Sequence, residues 1–181
     1  LTPKRYKHSL NVMERAVELA KIYGASPDKA ELAGLIHDVE KNTSSKIMLH
    51  SLKNSGILLT DADWLLPQLW HGICGYLYAR DALYIRDEDV LNAIRYHVTG
   101  RAGMSLLEKV VYAADLTSAE RDFHGAKALR KLADEDLDGA IFRSQQFVLE
   151  DMVKTGKPLH PDSVACYNEI AGKVCPKPEI S

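Results

Sequence analysis

Six side chains able to ligate a metal ion are strung along the chain in the order His8, His37-Asp38, His71, His97 and Asp115. Imidazole and carboxylate donors together suit iron, manganese, cobalt or zinc, and donor type alone does not choose among these. Each of the six falls in a stretch whose apolar residues recur at helical spacing, where a buried carboxylate or imidazole without a partner is costly. One shared positive centre accounts for all six. Taken singly the signals are weak: a His-Asp pair is an ordinary polar helix end, and a lone His8 an ordinary surface or satisfied core histidine. Asp115 says more, because an aspartate between Ala114 and Leu116 on an apolar helix needs a cationic partner.

His37 and Asp38 are adjacent, so on a helix their side chains diverge by roughly 100°. Both reach one ion only from a helix end or an opened turn. Asn42-Thr43-Ser44 supplies such an end, and the negative pole of a helix C-terminus favours a cation. Two metals about 3.5–4 Å apart suit phosphoryl transfer to water, since together they hold phosphate oxygens, acidify a water and neutralise the departing oxygen. A polyphosphate would need more positive charge. Arg5 precedes His8 by three residues, Lys41 follows Asp38 by three, and Arg121 follows Asp115 by six. Arg101 lies in the loop Thr99-Gly100-Arg101-Ala102-Gly103, whose backbone amides can also face phosphate. Any one of these cations reads as solvated surface charge; four of them beside four ligand motifs read as an anion site, and arginine offers phosphate a bidentate fork.

The elements that must position these groups all read as helices. Leu10, Met13, Val17 and Ala20 mark a first helix ended by Gly24, and Ser26-Pro27 caps a second running to His37-Asp38. Ser44-Ser45 opens a third that stops near Gly56. Pro67 starts a helix containing His71 and Tyr78, Asp87 one leading to Tyr96-His97, and Ser105 one reaching Asp115. The pattern predicts one long helix from Asp134 to Thr155, with Asp134-Glu135-Asp136 as its solvated start. Gly156 and Pro158 end it, and His160-Pro161-Asp162 caps a last helix ending near Lys173. Strand-like alternation, repeats and linkers are absent. An all-α bundle with ligands projecting inward from several helices follows.

The 181 residues fit a single domain, and 46% apolar content allows a sizeable core. A net charge of −2 argues against a broad nucleic-acid surface. No apolar run reaches the length of a membrane span, and no signal peptide is seen. The chain starts at Leu1 rather than Met, so an N-terminal piece is expected to be missing. Cys74, Cys166 and Cys175 are odd in number and lack Cys-x-x-Cys spacing. They read as passive thiols of a cytoplasmic protein, with Cys74 first among them to be expected buried. His50 and His124 read as surface residues.

The words around the ligands carry a resemblance. Arg5-Tyr6-Lys7-His8-Ser9-Leu10, Ala30 through Gly34-Leu35-Ile36-His37-Asp38, Ala93-Ile94-Arg95-Tyr96-His97, Gly103 through Lys109, Ala114-Asp115, Arg121-Asp122-Phe123 and Lys157-Pro158-Leu159-His160-Pro161-Asp162 resemble the HD-domain superfamily of metal-dependent phosphohydrolases, and within it the YqeK family. The resemblance implies an HD-domain helical bundle over residues 1–175 with a loose tail over 176–181. It implies symmetrical hydrolysis of diadenosine tetraphosphate to two ADP at a dinuclear centre, iron foremost. By position, His8, His37, Asp38 and Asp115 would hold one ion and His71 and His97 the other, with Asp38 bridging. Asp38, Lys41, His71 and His97 would be catalytic. Substrate would meet Arg5, Lys41, Arg101, Arg121 and His160 beside the ligands Asp38, His71, His97 and Asp115. A homodimer, and no nucleic-acid or membrane partner, belong to the same expectation. The ligand set alone equally suits another nucleotide phosphohydrolase, such as a nucleoside monophosphatase or a guanosine tetraphosphate hydrolase, or a non-catalytic nucleotide sensor. Thr117-Ser118-Ala119-Glu120 departs from the Ile-Glu-Pro-Gly-like run expected after the last aspartate, and His124 stands where proline is usual.

Overall fold

The computed structural model describes residues 1–175; the tail expected over 176–181 lies outside the described residues. Its helices are α1 (Pro3–Tyr23), α2 (Pro27–Ile36), α3 (Ser45–Asn54), α4 (Asp61–Leu65), α5 (Trp70–Asp81), α6 (Glu88–Tyr96), α7 (Leu106–Thr117), α8 (Ala126–Glu135), α9 (Leu137–Lys154) and α10 (Pro161–Val174), with a 3-10 turn over Pro67–Leu69 before α5. No strand occurs among the described residues, and no helix there is long and apolar enough to cross a membrane.

Most boundaries follow local chemistry. Thr2, Ser26, Asp87, Ser105 and Asp136 each accept a backbone N–H at a helix start, and prolines occupy the first turns of α1, α2 and α10. Gly24 closes α1 in the left-handed region at φ 79°. The single helix expected over Asp134–Thr155 is two elements instead. Asp136, at φ −149° and ψ 97°, ends α8 and caps α9. An aspartate break carries no glycine or proline, so the apolar rhythm runs through it unmarked. Cys74 is buried as expected, Cys166 is buried as well and Cys175 is exposed; all three are free thiols.

The main core joins α1, α2, α6, α7, α9 and α10 through residues such as Val12, Leu19, Ile94, Val111, Ile141 and Ile170. A second cluster, Met48, Leu52, Trp70, Ile73 and Leu77, seats α3 on α5. Two glycines set the helix approaches that matter for the ligands. A Cβ on Gly34 in α2 would lie 2.9 Å from Met13 Cα of α1, and one on Gly72 would lie 2.7 Å from the Arg95 carbonyl of α6. These contacts bring the end of α2 against α1 and the start of α5 against the end of α6. We predict that Gly34→Ala lowers stability by about 1–3 kcal/mol, because the added methyl overpacks backbone that cannot yield. Urea unfolding measures it, and an unchanged midpoint would contradict the close-approach account.

Candidate metal centre

All six ligand-type residues expected from the sequence meet in one place. His8 comes from α1, His37 caps the end of α2, Asp38 follows it, His71 opens α5, His97 caps the end of α6 and Asp115 lies near the end of α7. The helix end needed for His37 and Asp38 to diverge lies at His37 itself, not at Asn42-Thr43-Ser44; residues 37–42 form turns. His8, His37, Asp38, His71 and His97 are buried, and Asp115 is half-buried.

The ring orientations follow one rule. His37, His71 and His97 each donate Nδ1–H to a backbone carbonyl three residues back, at Gly34 (2.7 Å), Gln68 (2.9 Å) and Ile94 (2.7 Å). Those carbonyls belong to the last turns of α2 and α6 and to the 3-10 turn before α5, so backbone fixes the rings. With Nδ1 carrying the proton, each Nε2 presents a lone pair inward. His8 obeys the same rule with a side chain: its Nδ1 pairs with the Glu120 carboxylate. Glu120 is the functional residue that sequence reasoning missed. It falls in the Thr117–Glu120 run that departs from the expected pattern, and a carboxylate five residues past Asp115 carries no signal before the chain folds. Ser118 and Asn11 hold Glu120 in turn, at 2.9 and 2.6 Å.

Inside this ring, Nε2 of His8 lies 3.6 Å from Asp38 Oδ2 and 3.1 Å from Asp115 Oδ1, and Nε2 of His37 lies 3.6 and 3.9 Å from the same two oxygens. Nε2 of His71 and His97 lie 3.2 and 3.5 Å from Asp38 Oδ1. Asp38 thus turns one oxygen to each half of the cluster. Among the described residues, His8 Nε2, His37 Nε2 and Asp38 Oδ1 have no hydrogen bond although all are shielded from solvent. The Nε2 atoms of His71 and His97 face each other at 3.2 Å, lone pair to lone pair. Orphaned donor-set atoms and opposed lone pairs are what a cation between them relieves, and three overlapping triads (His8, His37, Asp38; His37, His97, Asp115; Asp38, His71, His97) bring their ligand atoms within 4.8 Å of one another. The residues fit a divalent metal ion.

The protonation states agree. Burial lowers His37 to about 4, assisted by the nearby His97, and burial lowers His71 to about 4, so both are neutral ligands near pH 7. Burial opposes ionisation of Asp38, and a proton on His71 or His97 outweighs it, holding the carboxyl far below its usual range. Asp115 is held down likewise, with His8, His37 and Arg121 overcoming its burial.

Cations crowd the rim. Arg5 Nη1 donates to Asp38 Oδ2 at 2.5 Å, Lys41 Nζ donates to His71 Nε2 at 3.0 Å, and Arg121 grips both the carboxylate and the carbonyl of Asp115. Burial lowers the Lys41 pKa. Arg101 and His160 are not brought to the cluster. Arg101 makes two 2.7 Å bonds to buried Glu108 and stacks on Tyr96. His160 donates Nε2–H to Asp63 at 3.0 Å and accepts the Asp162 N–H, capping α10. His50 and His124 are exposed, as expected.

Known proteins place this arrangement. The symmetrical bis(5'-nucleosyl)-tetraphosphatase of Halalkalibacterium halodurans is 41% identical over 174 residues, spanning 94% of this chain and 90% of its own. The protein of the same name from Bacillus subtilis is 41% identical over 169 residues, spanning 93% and 90%. A Clostridium acetobutylicum crystal structure, described as a predicted HD superfamily hydrolase involved in NAD metabolism, superposes with a TM-score of 0.93 at 42% identity, covering 96% of this chain and 92% of that one. The family model described as the HD domain matches residues 5–120, which contain all six ligand-type residues and Glu120. The chain belongs to the HD domain family, and within it to the group that includes these two tetraphosphatases.

Proposed function

We propose that this protein hydrolyses diadenosine tetraphosphate symmetrically to two ADP, using two transition-metal ions. The observation that carries the reading is the ring of four histidines with Nε2 turned inward on Asp38 and Asp115, edged by three cations. The names of the two relatives at 41% identity supply the substrate. His8, His37, Asp38 and Asp115 would hold one ion, and His71, His97 and the second oxygen of Asp38 the other. Iron leads among the candidate metals, with manganese, cobalt and zinc behind it. When bound, the ions supply a water acidified near neutral pH and charge neutralisation at the phosphoryl oxygens.

The chain's own groups do the rest. Neutral His37 and His71 keep their lone pairs available, and ionised Asp38 serves both halves. Arg5, Lys41 and Arg121 bind the phosphates from the rim. With His71 committed to an ion, the Lys41 ammonium is free to take a phosphate oxygen. Arg101 and His160 are held away from the ions, Arg101 by its ion pair with Glu108 and His160 by its hydrogen bond to Asp63. Residues 1–175 act as one HD domain. A cytoplasmic setting and a homodimer complete the reading, the first supported by the free thiols and the second by the family resemblance.

Two predictions test it. Breaking the central P–O–P bridge sends the water oxygen to one phosphorus and the bridging oxygen with the other. In oxygen-18 water the initial product is therefore ADP alone, half of it labelled, as read by chromatography and mass spectrometry. ATP plus AMP would reject the symmetrical cut. For the rim, Lys41→Ala and Arg121→Ala should keep near wild-type metal content. Each loses a charge-assisted contact worth roughly 1.5–3 kcal/mol, so kcat/KM should drop by about one to two orders of magnitude. Normal turnover in both variants would return these residues to surface charge.

A further inference from the structure

Beside the metal centre lies a cavity of about 470 Å³ that shares Arg121 with it. Leu116, Leu129, Leu132 and Val148 form its apolar floor, between α7, α8 and α9. Phe123 and Phe147 lie across it with ring centroids 6.2 Å apart and planes inclined by 22°. The rings are not filling a core: Phe123 is 38% and Phe147 64% exposed. A near-parallel aromatic pair this exposed is expensive to leave uncovered, and aromatic side chains are the platforms on which planar bases stack.

The cavity is joined to the metal centre by single residues. Leu116 follows Asp115, and Arg121, whose guanidinium binds Asp115, is also among the residues that line the cavity. Arg143 also lines the cavity. An occupant must therefore be flat and apolar at one end and anionic at the other, with the anion directed past Arg121 toward Asp115. A volume of this size lies in the range of small-molecule sites, roughly 300–1,000 Å³.

We propose that this cavity is a nucleoside subsite, in which the base of one substrate half stacks on Phe123 and Phe147 while Arg121 passes its phosphates to the metal centre. The proposal rests on the nucleotide hydrolysis proposed above and deepens it. Phe147, being exposed, contributes through the face it offers a base and little through the fold. Ser144 also lines the cavity, but its hydroxyl is spent on the Ala140 carbonyl, so it adds no base-edge donor.

The test is calorimetric titration of metal-loaded, full-length wild type, Phe147→Ala and Phe147→Trp with ADP and, as a base-free probe, tripolyphosphate; diadenosine tetraphosphate turnover is followed in the same samples. Loss of the stacking face should weaken ADP binding about ten-fold in Phe147→Ala. Tripolyphosphate affinity should stay unchanged, and Phe147→Trp should keep or tighten ADP. Equal ADP affinity in Phe147→Ala and wild type overturns the subsite, as does an equal loss for tripolyphosphate. Unchanged ADP affinity with a smaller mass in sedimentation marks the face as a subunit contact and equally overturns it. Wild type that binds ADP through Phe147 without hydrolysing the tetraphosphate would leave the subsite standing and refute the proposed function instead.

Discussion

Asp38 is an ionised carboxylate, almost wholly buried, at the meeting point of four imidazoles whose Nε2 atoms turn toward it and Asp115. Such a group survives only if its charge is compensated. Arg5 compensates one oxygen; the other faces His71 and His97, whose Nδ1–H groups are committed to backbone carbonyls. Burial keeps His37 and His71 neutral, so these two rings offer lone pairs to the centre, whereas Asp115 and Glu120 raise the His8 pKa against its burial. On the proposed reading this hollow exists for cations, and Lys41 reaches its edge at His71.

The architecture around the hollow serves that constraint. His37, His71 and His97 sit where a helix ends or begins, so each finds a free carbonyl three residues back. The segment after His97 is tied down at Thr99, whose carbonyl accepts from Gln145 of α9 and Ser163 of α10, at 2.8 and 3.0 Å. The segment after Asp115 is tied by Arg130 of α8, which donates to the Thr117 and Ser118 carbonyls at 2.9 Å each. These ties present Glu120 to His8 and Arg121 to Asp115. The long C-terminal helices thus hold the two loops that fix half of the ligands, without contributing a ligand of their own.

The ligands were legible in the sequence because ionisable groups on apolar helix faces stand out, and because their caps, Ser26-Pro27, Asp87 and Ser105, mark where each helix starts. Four features were not. Helix α4 spans five residues, too few to display a period, although Thr60 and Asp63 form a capping box. Helix α8 starts at Gly125 without a side-chain cap and stops at an aspartate, so neither end announces itself. Arg101 and Glu108 are seven residues apart in sequence but form a half-buried bidentate pair, which turns a candidate phosphate ligand into the anchor of its own loop. Glu120 was unreadable for the same reason: its role exists only once α1 lies beside the end of α7.

The central claim is that one carboxylate, Asp38, organises both halves of a two-ion centre. Quantifying bound metal by mass spectrometry in fully loaded wild type and Asp38→Ala, with activity measured on the same wild-type sample, tests it most directly. The account predicts two ions per chain in active wild type and the loss of most of both in Asp38→Ala. One ion per chain in fully active protein, or an Asp38→Ala variant that keeps both, would contradict it.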